Sequence, residues 1–317
     1  MKMTEEQLPK ELQDPFKDGG FKSINKAISA SLYQVQDGMQ GRRQVYPTKW
    51  ARLNKNLLGG LQPGKMYVIA GRPGVGKSAF SNQLIFDLLD NNKNKKLLVL
   101  YWSFEMPGYQ QIMRAGSKGS GKQVSELLSV EQKLERDAYE AFKKEVLKYA
   151  HYPIYFNNIP RDMEFIKNSN INVTNKYPDH TIINVYDHSR LILSERDQEL
   201  QKLNEVSKGC MWLQAKMGTI NILLSQLNRN IEQEHRAKAQ YQPLLTDLFG
   251  GDSIGQDAHV VIMLQRPHDL YGITDMYCGE DPVKLLACHV EKNRDGLLGM
   301  IPYEAEMSTF TINERKK

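Results

Sequence analysis

Residues 71 to 78 read Gly-Arg-Pro-Gly-Val-Gly-Lys-Ser, a complete G-x-x-x-x-G-K-[ST] string, directly behind the apolar run Met66-Tyr67-Val68-Ile69-Ala70. That run is short and bounded by Pro63-Gly64 and Gly71, as a buried parallel strand is. From Ser78 to Leu89 the apolar positions Phe80, Leu84, Ile85 and Leu88 recur at helical spacing, so the loop joins a strand end to a helix N-terminus. Unpaired N–H groups and the helix dipole make such a loop a phosphate cradle. The nucleotide-binding positions are therefore Gly71, Arg72, Pro73, Gly74, Val75, Gly76, Lys77, Ser78 and Ala79. Lys77 is expected to reach the β- and γ-phosphates of ATP or another nucleoside triphosphate, and the Ser78 hydroxyl to hold Mg²⁺. A second string, Gly116 to Gln123, fits only part of the pattern: Gln123 stands where the hydroxyl belongs and no apolar strand precedes it. It reads as a flexible loop with Lys118 and Lys122 in solvent.

The 317-residue chain, 40% hydrophobic, can form one large α/β domain with an appendage. It contains no run of 18 apolar residues to span a membrane, and its start, Met-Lys-Met-Thr-Glu-Glu-Gln-Leu, has no apolar signal region. Cys210, Cys278 and Cys288 are scattered, which indicates neither a zinc site nor a disulfide framework, so a cytoplasmic location is expected. A net charge of +5 permits nucleic-acid binding without requiring it.

Further strand-like runs occupy Leu97 to Trp102, Thr181 to Tyr186, Ile220 to Leu224 and Val260 to Leu264. Leu200, Leu203, Val206, Cys210, Leu213 and Met217 mark one face of a long helix. Alternating strands and helices predict a mainly parallel sheet covered on both faces, with ligands at the strands' carboxyl ends. The residue behind each strand thus becomes a candidate. Glu105 is placed to orient and deprotonate a water that attacks the γ-phosphate. Asp187 is placed to hold Mg²⁺, and Gln226 to sense the γ-phosphate by hydrogen bonding.

Six co-ordered segments carry a resemblance: Gly-Leu-Gln-Pro-Gly (60–64), the phosphate loop, Ser-Phe-Glu-Met-Pro (103–107), Ser-Gln-Leu-Asn-Arg (225–229), Asp-Ser-Ile-Gly-Gln-Asp-Ala (252–258) and Lys-Asn-Arg-Asp-Gly (292–296). From about residue 46 onward the chain resembles the RecA-like P-loop motor domain of DnaB-type replicative helicases. The resemblance implies a homo-hexameric ring that hydrolyses nucleotide between subunits and moves 5′ to 3′ along single-stranded DNA, with a primase and a helicase loader as partners. It assigns Lys292 and Arg294 to the γ-phosphate of the neighbouring subunit, Arg294 as an arginine finger. Locally, Lys284 to Glu291 and Met300 to Glu304 read as two strands around a turn at Asn293 to Gly296, so the two cations face one side.

Ahead of the motor, Phe21, Ile24, Ile28, Leu32 and Val35 repeat every three to four residues, an amphipathic helix within an arm over residues 1–45. In the family a helix at this position docks on the adjacent subunit; packing back on its own domain is the alternative. The family's collar domain or a primase has no room before it in this sequence, which is expected either of a minimal motor or of a chain whose upstream part is missing.

Two departures bear on the site. His188-Ser189-Arg190 follow Asp187 where the family usually has tyrosine, leucine and glutamine, and Phe249-Gly250-Gly251-Asp252 replace an Arg-Glu-Ser-Gly stretch. The candidates for DNA contact are Arg229, Arg236 and Lys238, binding phosphates without reading sequence, together with Phe249, Gly250 and Gly251, whose backbone N–H groups suit phosphate. A RecA-like recombinase, a clock-type ATPase and a scaffold or loader controlled by ATP are the competing functions.

Overall fold

The structure, a computed structural model, describes residues 23–196, 198–249 and 251–315. The chain divides into two units, Met1–Val45 and Tyr46–Lys317. In the first, α1 (Ile24–Met39) starts at Ser23, whose hydroxyl accepts the Lys26 N–H at 3.3 Å. Ile24, Ile28, Leu32 and Val35 of the expected stripe lie on it, and all four are exposed. Phe21 lies outside the described residues.

The second unit is built on a nine-stranded sheet in the order β3-β2-β4-β5-β1-β6-β7-β8-β9. The strands are β1 (Met66–Gly71), β2 (Leu97–Ser103), β3 (Ile154–Asn157), β4 (Thr181–Asp187), β5 (Ile220–Gln226), β6 (Val260–Gln265), β7 (Leu285–Asn293), β8 (Gly299–Glu306) and β9 (Thr311–Glu314). Neighbouring strands from β3 to β6 are parallel, and the last three strands add antiparallel edges. After α1 come α2 (Ala51–Asn56), α3 (Lys77–Asn91), α4 (Gly108–Ser120), α5 (Val124–Leu128), α6 (Arg136–Leu147), α7 (Met163–Lys176), α8 (Glu199–Met217), α9 (Gly251–Asp257) and α10 (Pro267–Tyr271).

β1 explains why its sequence shows no alternation. Tyr67 and Ile69 enter one core with Phe80 and Leu84 of α3, while Met66, Val68 and Ala70 enter the opposite core with Leu203, Val206, Cys210 and Leu213 of α8. With helices on both faces, every position is apolar. The five expected runs all appear as strands, each of the last four prolonged by one or two residues that bring a polar side chain to its carboxyl end.

Two sequence readings are corrected. Gly116 to Ser120 is no loop but the last turn of α4, and its glycines let α6 approach closely. A Cβ on Gly116 would lie 2.4 Å from Phe142 Cε2, and one on Gly119 would lie 2.0 Å from Glu145 Cδ. Lys118 is not in solvent: its ammonium sits 2.6 Å from Asp87 Oδ1, with both side chains largely buried. The short edge strands β3 and β9 were not expected, since neither carries a long apolar run.

Candidate nucleotide site

The loop between β1 and α3 turns through Gly74 (φ 79°) and Gly76 (φ 103°), both in the left-handed region that favours glycine. Val75 between them is fully buried, which pins the loop to the core. A cavity of about 310 Å³ opens above it, lined by Pro73, Gly74, Gly76, Lys77, Ser78 and Ala79 together with Glu105 and Gln226. Gly71, Arg72 and Val75 do not face this cavity. Gly71 offers its carbonyl to Lys77, and Arg72 turns away to Glu232 (2.7 Å) and the Leu227 carbonyl (2.9 Å). Two roomier clefts of about 870 and 730 Å³ contain no phosphate-loop residue. Chemistry, not size, selects the site.

Lys77 Nζ donates to the carbonyls of Gly71 (2.9 Å) and Arg72 (3.2 Å). Burial lowers its pKa to about 8, against the pull of Asp187 and Glu105. An anionic phosphate would favour the charged ammonium. The Ser78 hydroxyl donates to Asp187 Oδ1 at 3.2 Å, joining the two expected Mg²⁺ ligands. Burial raises the Asp187 pKa, opposed by that hydroxyl and by Gln111, whose amide lies 3.5 Å from Oδ2. Gln111 is itself held by Ser103 (3.0 Å) and Asn82 (3.0 Å), so the carboxylate has a fixed orientation. A hydroxyl–carboxylate pair at a loop lined with N–H groups fits a hard divalent cation that keeps several waters.

Sheet order aligns the rest. β2, β4 and β5 are neighbours, so Glu105, His188 and Gln226, at or just behind their carboxyl ends, form a row along one wall. Glu105 is exposed at the rim, and Gln226 Oε1 accepts from Arg190 at 3.3 Å. Sequence reasoning did not nominate His188, Arg114, Arg266, Met307 or Phe310, which complete the cavity. Arg114 stacks on the Phe310 ring at 4.8 Å, and Arg266 donates to the Gly74 carbonyl at 3.4 Å. Arg266 follows β6 as Gln226 ends β5, and the strand-end rule would have found it. His188 Nδ1 accepts the Arg190 N–H, and burial together with Lys77 and Arg190 lowers its pKa to about 4, so the ring is neutral at pH 7.

Lys292 and Arg294 do not line this cavity. Both reach the carboxyl end of α9: Lys292 donates to the carbonyls of Gly255 and Gln256 at 2.7 Å each, and Arg294 to that of Gln256 at 2.7 Å. A register shift opposite Val261/Ile262 precedes them on β7, and the turn runs from Arg294 rather than from Asn293. Among the DNA candidates, Arg229 and Lys238 are exposed. Arg236 is corrected: it forms a two-pronged pair with buried Asp247 (3.0 Å to each oxygen) and donates to the Gln242 carbonyl. It closes the segment internally. Phe249 is half-buried under the Arg190 guanidinium at 4.6 Å, Gly251 opens α9, and Gly250 lies outside the described residues.

The DnaB-like helicase C terminal domain matches residues 46–312, spanning β1 to β8 and the start of β9. The chain belongs to that family. Nucleotide use follows from this membership. The replicative DNA helicase DnaB of Mycoplasma pneumoniae is 27% identical over 274 residues, covering 81% of this chain and 55% of that protein. That of Rickettsia prowazekii is 24% identical over 339 residues, covering 96% and 67%. The chain thus spans between about half and two thirds of the length of these relatives. Among solved structures, one described as an ATPase domain superposes with a TM-score of 0.80 at 18% identity, covering 93% of this chain and 99% of that one. A DnaB-like replicative helicase described with its interactions with primase gives 0.79 at 18%, covering 93% and 68%. A KaiC-like protein from Pyrococcus horikoshii gives 0.56 at 15% identity, covering 87% and 99%. These likenesses establish the shared RecA-like ATPase fold.

Proposed function

We propose that this chain is the ATP-hydrolysing motor of a ring-shaped replicative helicase, a homo-hexamer that moves 5′ to 3′ on single-stranded DNA and displaces the complementary strand. The observation that carries the reading is a division of labour. Lys77, Ser78, Glu105 and Gln226 line one cavity, with Asp187 buried behind it and hydrogen-bonded to Ser78, whereas Lys292 and Arg294 are held at the end of α9, off that cavity.

Lys77 and the loop N–H groups bind the β- and γ-phosphates of ATP. Mg²⁺ held by Ser78 and Asp187 supplies charge neutralisation to the phosphate oxygens when bound. Glu105 orients the attacking water and takes its proton, and Gln226 registers whether the γ-phosphate is present. Lys292 and Arg294 act on the nucleotide of the adjacent subunit, which makes hydrolysis depend on the ring. Residues 1–45 form an arm that crosses to the neighbouring motor and residues 46–317 the motor, as the exposed apolar positions of α1 favour. DNA phosphates contact Arg229 and Lys238 and the backbone at 249–251; a primase and a helicase loader are the expected protein partners.

Strand displacement on forked substrates tests the reading. Release of the labelled strand should require ATP, Mg²⁺ and a 5′ single-stranded tail, and fail with Lys77→Ala. DNA-dependent ATP hydrolysis without displacement on either polarity would favour a loader or scaffold instead.

A further inference from the structure

The row formed by β2, β4 and β5 contains one member to which no role has been given. His188 stands between Glu105 and Gln226 on the wall of the cavity, immediately behind Asp187, and only 7% of it is exposed. Its ring is anchored from one side: Nδ1 accepts the Arg190 backbone N–H and so caps the short turn Ser189–Leu191. Because Nδ1 accepts this hydrogen bond, the ring proton lies on Nε2. That Nε2 is buried and has no hydrogen-bond partner among the described residues. Buried donors in folded proteins are nearly always paired, and of the six buried side-chain atoms without a partner among the described residues, this is the one on a residue that lines the cavity.

We infer that His188 is a further catalytic residue, donating its Nε2–H to an oxygen of the γ-phosphoryl group between the attacking water at Glu105 and the sensor Gln226. This rests on the nucleotide site proposed above. Its neighbours identify the acceptor. Lys77, also on this wall, is a cation and cannot accept, and the residues on either side in the row are those addressed to the γ-phosphate. A donor fixed by a backbone cap at the place where phosphoryl charge develops acts as an oxyanion-hole group does, and gains strength as the transition state forms.

Two substitutions separate donation from capping. In His188→Asn, Oδ1 can still accept the Arg190 N–H but the distal donor is gone; in His188→Gln, the amide nitrogen reaches the position of Nε2 and the cap is lost. Turnover should fall about 10²-fold in His188→Asn with ADP affinity unchanged, and His188→Gln should recover much of it. Affinity for ADP with aluminium fluoride, a mimic of the transferring phosphoryl group, should fall in parallel with turnover in His188→Asn. If His188→Asn turns over within about twofold of the parent, or His188→Asn is active and His188→Gln is not, the residue is a cap and the inference is overturned. Should Glu105→Gln abolish hydrolysis while His188→Asn does not, only this inference fails. A parent protein that hydrolyses no nucleotide overturns the site reading and this inference together.

Discussion

Lys77 and Glu105 make separable demands on the cavity, because one holds phosphate charge and the other acts only on the attacking water. Lys77→Ala should abolish nucleotide binding, measured by fluorescent-nucleotide titration, whereas Glu105→Gln should bind normally and lose about 10² to 10⁴ in turnover. Near-normal hydrolysis by Glu105→Gln would remove it from the base role. Arg236 makes a different prediction now that its partner is visible. Removing it strands the Asp247 carboxylate, which is 2% exposed, so Arg236→Ala should destabilise the fold by about 3–5 kcal/mol in urea titrations. At equal stability it should leave the salt dependence of DNA binding unchanged. The residues legible in sequence were those a short apolar run delivers to a strand end: Lys77, Ser78, Glu105, Asp187 and Gln226. Arg114, Met307 and Phe310 were illegible, since they come from a helix and a far C-terminal turn that only folding brings beside the loop. Arg236 was misread because charge alone does not distinguish a phosphate contact from a carboxylate eleven residues on.

At the scale of elements, the two-sided burial of β1 made the parallel sheet readable, and the same logic failed for β3 and β9, which are short and lie at the sheet's edges. Gly116 and Gly119 misled the reading of α4, because glycine signals a loop by propensity but here serves helix approach. The antiparallel edge carries a titratable group with a testable consequence. His289 on β7 is almost fully buried, with Nε2 3.0 Å from the Tyr277 hydroxyl and Glu291 3.9 Å from Nδ1. Burial lowers its pKa from 6.5 to about 4. Between those values the unfolded chain binds more protons than the folded one, so stability is complete above pH 6.5 and falls as the pH drops toward 4. The slope contributed is at most about 1.4 kcal/mol per pH unit. Thermal unfolding between about pH 7.5 and 5 should show it, and His289→Asn should flatten the profile; an unchanged profile would mean that the imidazole takes up its proton as readily in the fold as in the unfolded chain.

For the whole molecule, the division between cavity and α9 is the central claim. An arginine finger is worth about 10³ to 10⁵ in turnover and little in ground-state binding. Arg294→Ala should therefore bind ATP and hydrolyse it poorly, while Lys77→Ala does neither. Family motifs singled out Lys292 and Arg294 for the neighbouring subunit's nucleotide, but sequence could not tell that their side chains reach the carboxyl end of α9. The most direct measurement is ATP turnover in mixtures of Arg294→Ala with Lys77→Ala protein. Interfaces that pair an intact phosphate loop with an intact finger reappear on mixing, so turnover should rise above that of either variant alone and peak near equal proportions. Turnover that stays at the weighted average of the two variants, and in the parent stays proportional to protein at high dilution, would contradict a site shared between subunits.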